Sequence, residues 1–240
     1  MKNARRRNGS IAAMAAMGAL GMTVIAGPAH AACTGSPNIT CTGTNVDPVV
    51  SMDDGAVLTV EGDSSIIVPD DDAVTMTGDG ASVNNMGRVE TIIEENTTIV
   101  HGGDDFSVTN APEALIVSKD KGIERDGVKV GLTVVNTGRI EAQGDAIEDD
   151  NGSVNLTNNT DGIIQSFGGK GLQAEGDETV VWNDGILSAE DKAIEAGEDF
   201  MLTNNGLIES KADRGIEVGG EGGLLENYGN IEAFDDAIRA

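Results

Sequence analysis

The sequence is poor in aromatic residues. Its 240 residues include one Trp, one Tyr and four Phe, while Val, Ile, Leu and Ala supply most of the apolar side chains. An ordinary globular core buries more large rings, and a disordered chain would hold fewer β-branched residues. A narrow core filled by stacked aliphatic side chains is consistent with both observations.

Positive charge is also scarce. The chain has 15 Lys and Arg against 41 Asp and Glu, a formal net charge of −26. A surface of this sign repels phosphate backbones and anionic lipid headgroups. We therefore expect no nucleic-acid partner and no docking on an anionic membrane.

Residues 1–31 have the layout of a secretory signal peptide. A basic start, "MKNARRR", precedes the apolar stretch "IAAMAAMGALGMTVIAG", and Ala29-His30-Ala31 forms a small-x-small cleavage site. No other segment approaches the roughly 20 apolar residues of a membrane helix, so we expect no membrane span after residue 31. Cleavage removes four of the 15 basic side chains and no acidic one, which leaves 11 basic and 41 acidic side chains.

Cysteine is limited to Cys33 and Cys41, in "CTGSPNITC". In an oxidising compartment a pair this close is expected to form a local disulfide. A metal site would need further ligands, and His101 is the one histidine after the leader. We expect residues 32–60 to form an N-terminal cap held by the disulfide.

The dominant feature of the chain is a worn repeat built around glycine. "VVNTGRIEA" (residues 134–142) returns as "VWNDGILSA" (residues 181–189) and "LENYGNIEA" (residues 225–233). In each copy an asparagine stands two residues before the glycine, an aliphatic residue two after it and a small residue four after it. An earlier copy contains Gly87. In the copy between Gly87 and Gly138, Ala114 takes the position of the glycine. The later glycines, 21 to 24 residues apart, are Gly138, Gly162, Gly185, Gly206 and Gly229.

Each unit contains three short apolar-alternating runs, and alternation with period two predicts strands. One such strand cannot bury its face alone, whereas a coil of three strands stacked on its neighbours can. We therefore predict an all-β, right-handed, single-stranded parallel β-helix over residues 61–240, with three strands per rung. Leucine-rich repeats have a similar period, but their Leu-x-x-Leu-x-Leu pattern is missing, and a propeller blade needs about twice the length.

Stacking assigns a role to each repeated position. Neighbouring rungs lie about 4.8 Å apart, so equivalent asparagines are expected to form an amide ladder and equivalent glycines to supply positive-φ corners. The predicted ladder residues include Asn136, Asn183, Asn204 and Asn227. The predicted corner residues include Gly138, Gly185, Gly206 and Gly229.

The unit N-x-G-x-I-x-A followed by D-A-I resembles the passenger-domain repeats of bacterial autotransporters, the pertactin-like and adhesin-like group, over about residues 80–240. The leader followed by "CTGSPNITCTGT" also resembles the mature start of such passengers. The resemblance implies export by a Gram-negative bacterium, to the cell surface or beyond. It also implies a C-terminal membrane barrel. The sequence stops at Ala240 within a repeat, so we expect a fragment or another route to the surface.

Parallel β-helices also include polysaccharide lyases and hydrolases. Asn159-Thr160-Asp161-Gly162 is similar to a tetrapeptide of polygalacturonases, and Asp149-Asp150 lies nearby. In this chain, however, the acidic pair comes before the tetrapeptide, and no histidine follows the tetrapeptide. The tetrapeptide also falls on the Asn/Gly corner of the repeat, which explains it structurally. Lyases of this fold also need a basic group, and we find no pair or triple of basic residues at one repeat position. We expect no catalytic residues.

Clusters of carboxylates in turns are candidate Ca²⁺ sites, because Ca²⁺ prefers oxygen ligands. The candidates are Asp70, Asp71, Asp72, Asp104 and Asp105. The segments "GGKGLQAEG" and "GGEGGLLEN" approach a calcium-binding nonapeptide, but Gln173 and Leu224 replace its aspartate. We expect solvated acidic turns, no dedicated metal site and no cofactor, with Ca²⁺ binding as the alternative.

Three further residues have two interpretations each. His101 is expected in an exposed turn, with an acid–base pair to Asp104 as the alternative. Trp182 and Tyr228 adjoin the predicted ladder, where they are either packing caps at corners or sugar-stacking platforms.

The sequence therefore favours a non-enzymatic, exported β-helical module for adhesion, aggregation or display. Its expected partner is a host surface, a glycan or a second copy, since an exposed strand edge invites pairing. The alternative is a β-helical polysaccharide lyase or glycoside hydrolase.

Overall fold

The structure is a computed structural model that describes residues 32–125 and 131–240. Within these residues the chain forms 28 short strands joined by turns, and no helix. The strands belong to three sheets, here named sheets 1, 2 and 3 in the order in which the chain visits them. The predicted signal peptide lies outside the described residues.

Each sheet takes one strand in three along the chain. Sheet 1 consists of β1 (Ala32–Thr34), β2 (Asn38–Thr42), β5 (Val57–Val60), β8 (Ser82–Asn85), β11 (Phe106–Asn110), β14 (Leu132–Asn136), β17 (Val154–Asn158), β20 (Val180–Asn183), β23 (Met201–Asn204) and β26 (Leu224–Asn227). Sheet 2 consists of β3 (Thr44–Asn45), β6 (Ser65–Val68), β9 (Arg88–Thr91), β12 (Leu115–Ser118), β15 (Arg139–Ala142), β18 (Ile163–Ser166), β21 (Ile186–Ala189), β24 (Leu207–Ser210) and β27 (Asn230–Glu232). Sheet 3 consists of β4 (Val49–Ser51), β7 (Val74–Met76), β10 (Ile99–His101), β13 (Ile123–Arg125), β16 (Ile147–Asp149), β19 (Leu172–Ala174), β22 (Ile194–Ala196), β25 (Ile216–Val218) and β28 (Ile238–Arg239).

The chain passes through sheets 1, 2 and 3 in turn and then returns one layer further along the stack. Val134, for example, pairs in register with Val108 on one side and Leu156 on the other. Apart from the pairing of β1 with β2, every strand pairing in the described residues is parallel. The chain is therefore a parallel β-solenoid of about eight turns with three strands per rung, which confirms the predicted architecture.

The N-terminal end differs from the rest. Strand β1 pairs antiparallel with β2, and Cys33 lies opposite Cys41, to which it is joined by a disulfide. Strand β2 already pairs in parallel with β5. The coil thus begins at Asn38, inside the segment assigned to the cap, and β1 is the part that lies outside the parallel stack.

Alternation along each strand sends every second residue into the core. The inward residues stack into three aliphatic columns, one per sheet, and Phe106 and Phe200 are the phenylalanines buried among them. Burying an aliphatic side chain of this size contributes about 1.5–3 kcal/mol. The column of sheet 2 consists of Ile66, Val89, Ile116, Ile140, Ile164, Leu187 and Ile208. The scarcity of aromatic residues follows from this narrow interior.

Asparagines, all buried except Asn227, form a ladder beside the turn from sheet 1 to sheet 2. Each side-chain Nδ2 donates a hydrogen bond of 2.7–2.9 Å to the Oδ1 of the asparagine one rung further on. Its members are Asn85, Asn110, Asn136, Asn158, Asn183, Asn204 and Asn227. The sequence prediction lacks Asn110 and Asn158, because the turn after each is two residues longer and moves it away from the anchor position.

The glycines at this turn are corner residues for a different reason from the predicted one. They do not have positive φ. A Cβ on Gly138 would lie 2.3 Å from the carbonyl oxygen of Ala114 in the preceding rung, so the close approach of two turns excludes a side chain. Positive φ occurs at other residues, for example at Gly131 (φ 94°) before sheet 1 and at Glu113 (φ 65°) in the turn from sheet 1 to sheet 2. The glycines explained by close approach are Gly138, Gly185, Gly206 and Gly229.

Candidate functional site

From β2 to β23 the outward side chains of sheet 1 carry no charge, and in the next strand, β26, Glu226 follows Thr203 in register. Each sheet 1 strand from β2 to β23 presents two outward residues, which the register aligns in two columns. The first column is Asn38, Val57, Ser82, Ser107, Thr133, Asn155, Val180 and Met201. The second column is Thr40, Thr59, Asn84, Thr109, Val135, Thr157, Trp182 and Thr203. We name these two columns the neutral face.

Stacking does not require these positions to be uncharged. Charged residues make up 23% of the chain and belong mostly on protein surfaces, so a face of this size would ordinarily carry several. Acidic residues do border the neutral face at the turns, for example Glu178 and Asp199 before the strands and Asp184 after them. The charge is therefore absent from the strands of this face and present around it.

The neutral face offers hydroxyl, amide and methyl groups. Its backbone N–H and C=O groups are engaged in hydrogen bonds between the parallel strands. A binding partner would therefore contact the side chains. Hydroxyl and amide groups both donate and accept hydrogen bonds, and the threonine and valine methyls lie between them. The combination suits a partner that is polar but uncharged.

An exposed aromatic ring stands on this face. Trp182 is 47% exposed and lies in register between Thr157 and Thr203. Beside it, Val180 and Met201 line an open groove of about 590 Å³, which is also lined by Glu178 and Asp199. The predicted corner position for Trp182 is wrong, because the residue lies inside β20. Tyr228, in contrast, lies in a turn and is 72% exposed.

From β13 onward the outer face of sheet 3 is charged, whereas the three strands before it carry Val50, Thr75 and Val100 at the same position. Its central column contains Glu124, Glu148, Gln173, Glu195 and Glu217 in successive strands. Two residues before the inward aliphatic of these strands, cations recur in a second column. These cations are Lys121, Lys170, Lys192 and Arg214. The sequence prediction that no basic residues share a repeat position is therefore wrong. The alignment of these cations is not visible when the repeats are aligned on the glycines that precede sheet 2.

The cations of sheet 3 bridge glutamates of successive rungs. Lys192 Nζ lies 2.6 Å from Glu195 Oε1 and 2.5 Å from Glu217 Oε2, and Lys121 joins Glu124 and Glu148 at 2.6 and 2.7 Å. Hydrogen bonds from Lys192 and Arg214 lower the pKa of Glu217. These cations are therefore neutralised by glutamates and do not form a bare basic groove.

Sheet 3 also carries charge into the core. Arg125 Nη1 lies 2.9 Å from Asp149 Oδ2, and both side chains are fully buried. Asp149 Oδ1 accepts a further hydrogen bond from the backbone N–H of Gly152 at 2.7 Å. The carboxylate is thus held by a cation and by the backbone, which is the pairing that a buried charge requires.

His101 is buried in β10 and not exposed in a turn as predicted. Its ring stacks on Phe106, with 4.1 Å between ring centroids, and neither ring nitrogen has a hydrogen-bond partner within the described residues. Burial, with a smaller contribution from Arg125, lowers the pKa of His101 to about 3. The alternative acid–base pair with Asp104 is not formed.

The tetrapeptide and the acidic pair lie in different parts of the coil. Asn159 and Gly162 close the turn from sheet 1 to sheet 2, where the Gly162 N–H donates to the Asn159 carbonyl at 2.7 Å. Asp161 is exposed in this turn, whereas Asp149 ends a sheet 3 strand with its side chain in the core. Repeat geometry therefore accounts for both positions.

The predicted calcium candidates lie at two different turns. Residues 70–72 precede sheet 3, and residues 104–105 follow it. Asp72 Oδ1 accepts a hydrogen bond from the Thr97 N–H at 2.8 Å. Within residues 32–125 and 131–240, no three His, Cys, Asp or Glu side chains form a group that could hold a metal ion.

No protein-family model, curated protein or solved structure matches this chain. In the part of the chain that the structure describes, no helix is long and apolar enough to cross a membrane. The neutral face is the surface whose composition the fold does not explain, and it is the candidate functional site.

Proposed function

We propose that the chain is a non-enzymatic binding module of an exported protein, acting in adhesion, aggregation or display on a Gram-negative cell surface or outside the cell. The observation that carries this proposal is the neutral face, which extends along sheet 1 from Asn38 to Thr203. A long flat surface of one chemistry suits attachment to an extended partner. Catalysis, in contrast, gathers a few groups at one point.

The repeat and the leader support the same function. Both resemble those of autotransporter passengers, in which the solenoid projects from the cell. We propose that residues 1–31 direct export and that Ala32 begins the mature chain. N-terminal sequencing of the exported protein tests this step, and a retained leader would contradict it.

The proposed binding function is tested with the purified chain coupled to latex beads. We expect coated beads to bind a host epithelial layer or one another, while beads coated with the heat-unfolded chain do neither. Coated beads that behave like the unfolded control would overturn the proposal.

The alternative is a β-helical polysaccharide lyase or hydrolase. Its test is the release of reducing ends or unsaturated products from acidic and neutral polysaccharides, and we expect none. Product formation that is lost on Asp161→Ala would replace the binding function with an enzymatic one. The substitution suits this test because Asp161 is exposed and outside the core.

A further inference from the structure

We infer that the neutral face binds an uncharged polysaccharide chain that lies across the strands, along the axis of the solenoid. The inference rests on the proposed binding function and names the class of partner. It depends on the charge, the chemistry and the spacing of the two columns, and on Trp182.

Charge decides which partners the face selects. The chain carries a formal net charge of −26, so a polyanion is repelled from the molecule as a whole. A polycation would be drawn to the carboxylates of the turns that border the face, such as Asp199, and would gain no charge contact on the uncharged strands between them. An uncharged partner meets no desolvated charge on the neutral face, and desolvating a charge is the most costly event in binding.

The side chains match the chemistry of a sugar. A neutral saccharide presents hydroxyls that donate and accept, and C–H groups on its ring faces. The second column presents Thr109, Val135 and Thr157 in three successive rungs, which combines hydroxyls with methyls in the same way. Threonine and valine are stiff at χ1, so these groups lose little entropy when a ligand covers them.

Spacing favours a polymer over a single sugar. Equivalent residues recur about every 4.8 Å along the axis, and the two outward residues of one strand lie about 6.6 Å apart. A ligand with a repeating unit meets a similar pair of side chains at each rung. Many weak contacts then add along one chain, as in other multivalent binding.

Trp182 supplies one strong contact within this series. Its ring is 47% exposed, and its neighbours in the column, Thr157 and Thr203, are small. A sugar ring can therefore stack on the indole without a clash from the adjacent rungs. The groove beside the ring is lined by Glu178 and Asp199 as well as by Val180 and Met201, so the uncharged path follows the second column over Thr157 and Trp182 and does not enter the groove.

The single tryptophan of the chain makes the site directly measurable. Because Trp182 is the one tryptophan in 240 residues, the intrinsic fluorescence reports this face. We would titrate the full chain with laminarin, dextran and galactomannan, which are uncharged, and with polygalacturonate, which is anionic. We expect a saturable change with at least one uncharged polymer, none with polygalacturonate and little dependence on added NaCl.

Two variants locate the binding. Thr157→Glu places a charge in the column beside Trp182, and we expect affinity to fall roughly tenfold or more, because a ligand must then desolvate that charge. Gln165→Glu is the matched control, since Gln165 is outward and half-buried in the same rung on sheet 2, and its affinity should stay unchanged. Thr203→Glu repeats the test if Thr157→Glu alters the far-UV circular dichroism.

Each other outcome overturns the inference. It fails if no uncharged polymer changes the fluorescence, if polygalacturonate binds equally well, or if Gln165→Glu weakens binding as much as Thr157→Glu. A fluorescence change that follows protein concentration alone, with a dimer in light scattering, assigns the face to a second copy. If coated beads still bind in these cases, the proposed function survives without this ligand.

Discussion

Sheets 1 and 3 are built on the same coil and have opposite outer faces. Inside, both present an aliphatic column; Val134 of sheet 1 and Ile147 of sheet 3 are each fully buried. Outside, sheet 1 carries hydroxyls, amides and Trp182, whereas sheet 3 carries glutamates bridged by lysines. Stacking explains the interior in both cases. The difference between the two outer faces is therefore the part of the molecule that a function must explain.

The comparison extends to the core, because within residues 32–125 and 131–240 the fully buried ion pair, Arg125 with Asp149, belongs to sheet 3. We expect Asp149→Ala to destabilise the chain by about 3–5 kcal/mol, since it leaves Arg125 as an uncompensated buried charge. Urea unfolding measures the change. Asn155→Ala, on the outer side of sheet 1, should cost about 0.5 kcal/mol or less.

The double variant Arg125→Met with Asp149→Ala is the control for charge. It uses residue types found in the same inward column of sheet 3, Met76 two strands before Arg125 and Ala174 one strand after Asp149. We expect it to recover most of the stability lost in Asp149→Ala. If the double variant is less stable than the single one, the loss does not arise from the unpaired charge.

Acid should weaken sheet 3 through His101. Its folded-state pKa is about 3 and its ordinary value is 6.5, so the unfolded chain binds a proton first as the pH falls. Stability is then lost progressively below pH 6.5, by about 3 kcal/mol at pH 4 from this group. The measurement is the difference in unfolding free energy between wild type and His101→Met as a function of pH. An equal pH dependence in both proteins would contradict the burial of a neutral histidine.

The asparagine ladder belongs to the interior of sheet 1 and should tolerate less change than its outer face. Asn136→Ala removes the acceptor of Asn110 and the donor to Asn158. We expect a loss of about 2 kcal/mol, since buried polar groups are left unpaired. Asn84→Ala, which is outward in the same sheet, should change the unfolding free energy little. Similar losses in both variants would refute the ladder.

The smallest effect is expected on the outside of sheet 3. Lys192→Met removes bridges to two glutamates that are about one-fifth exposed, and solvent-screened pairs contribute about 1 kcal/mol or less. High salt should reduce the difference between this variant and wild type. Thr203→Ser on the neutral face serves as the control, with no salt dependence. A loss that salt leaves unchanged would indicate packing by the lysine stem instead.

The period of the repeat predicted the solenoid because stacking repeats the same packing at each rung. Details that depend on turn length were missed: Asn110 and Asn158 join the ladder although their turns are two residues longer. The close approach that requires Gly138 is a contact between rungs, and the spacing within one repeat does not show it.

The candidate site was harder to predict than the fold. The sequence predicts a corner for Trp182 and does not predict the lysine column, because only the register shows which residues align on each face. His101 stands next to Gly102, Gly103 and Asp104, which indicated a turn, and its alternation with Ile99 placed it in a strand instead. No local signal in the sequence marks the neutral face.

The most direct measurement is the adhesion of beads coated with variants of the two faces. We predict that Thr157→Glu on sheet 1 lowers bead binding, in line with the weaker affinity expected for that variant, whereas Glu217→Gln on sheet 3 leaves it intact. Both variants should retain the wild-type circular dichroism. Binding that persists in Thr157→Glu and is lost in Glu217→Gln would place the function on the charged face and contradict the role assigned to the neutral one.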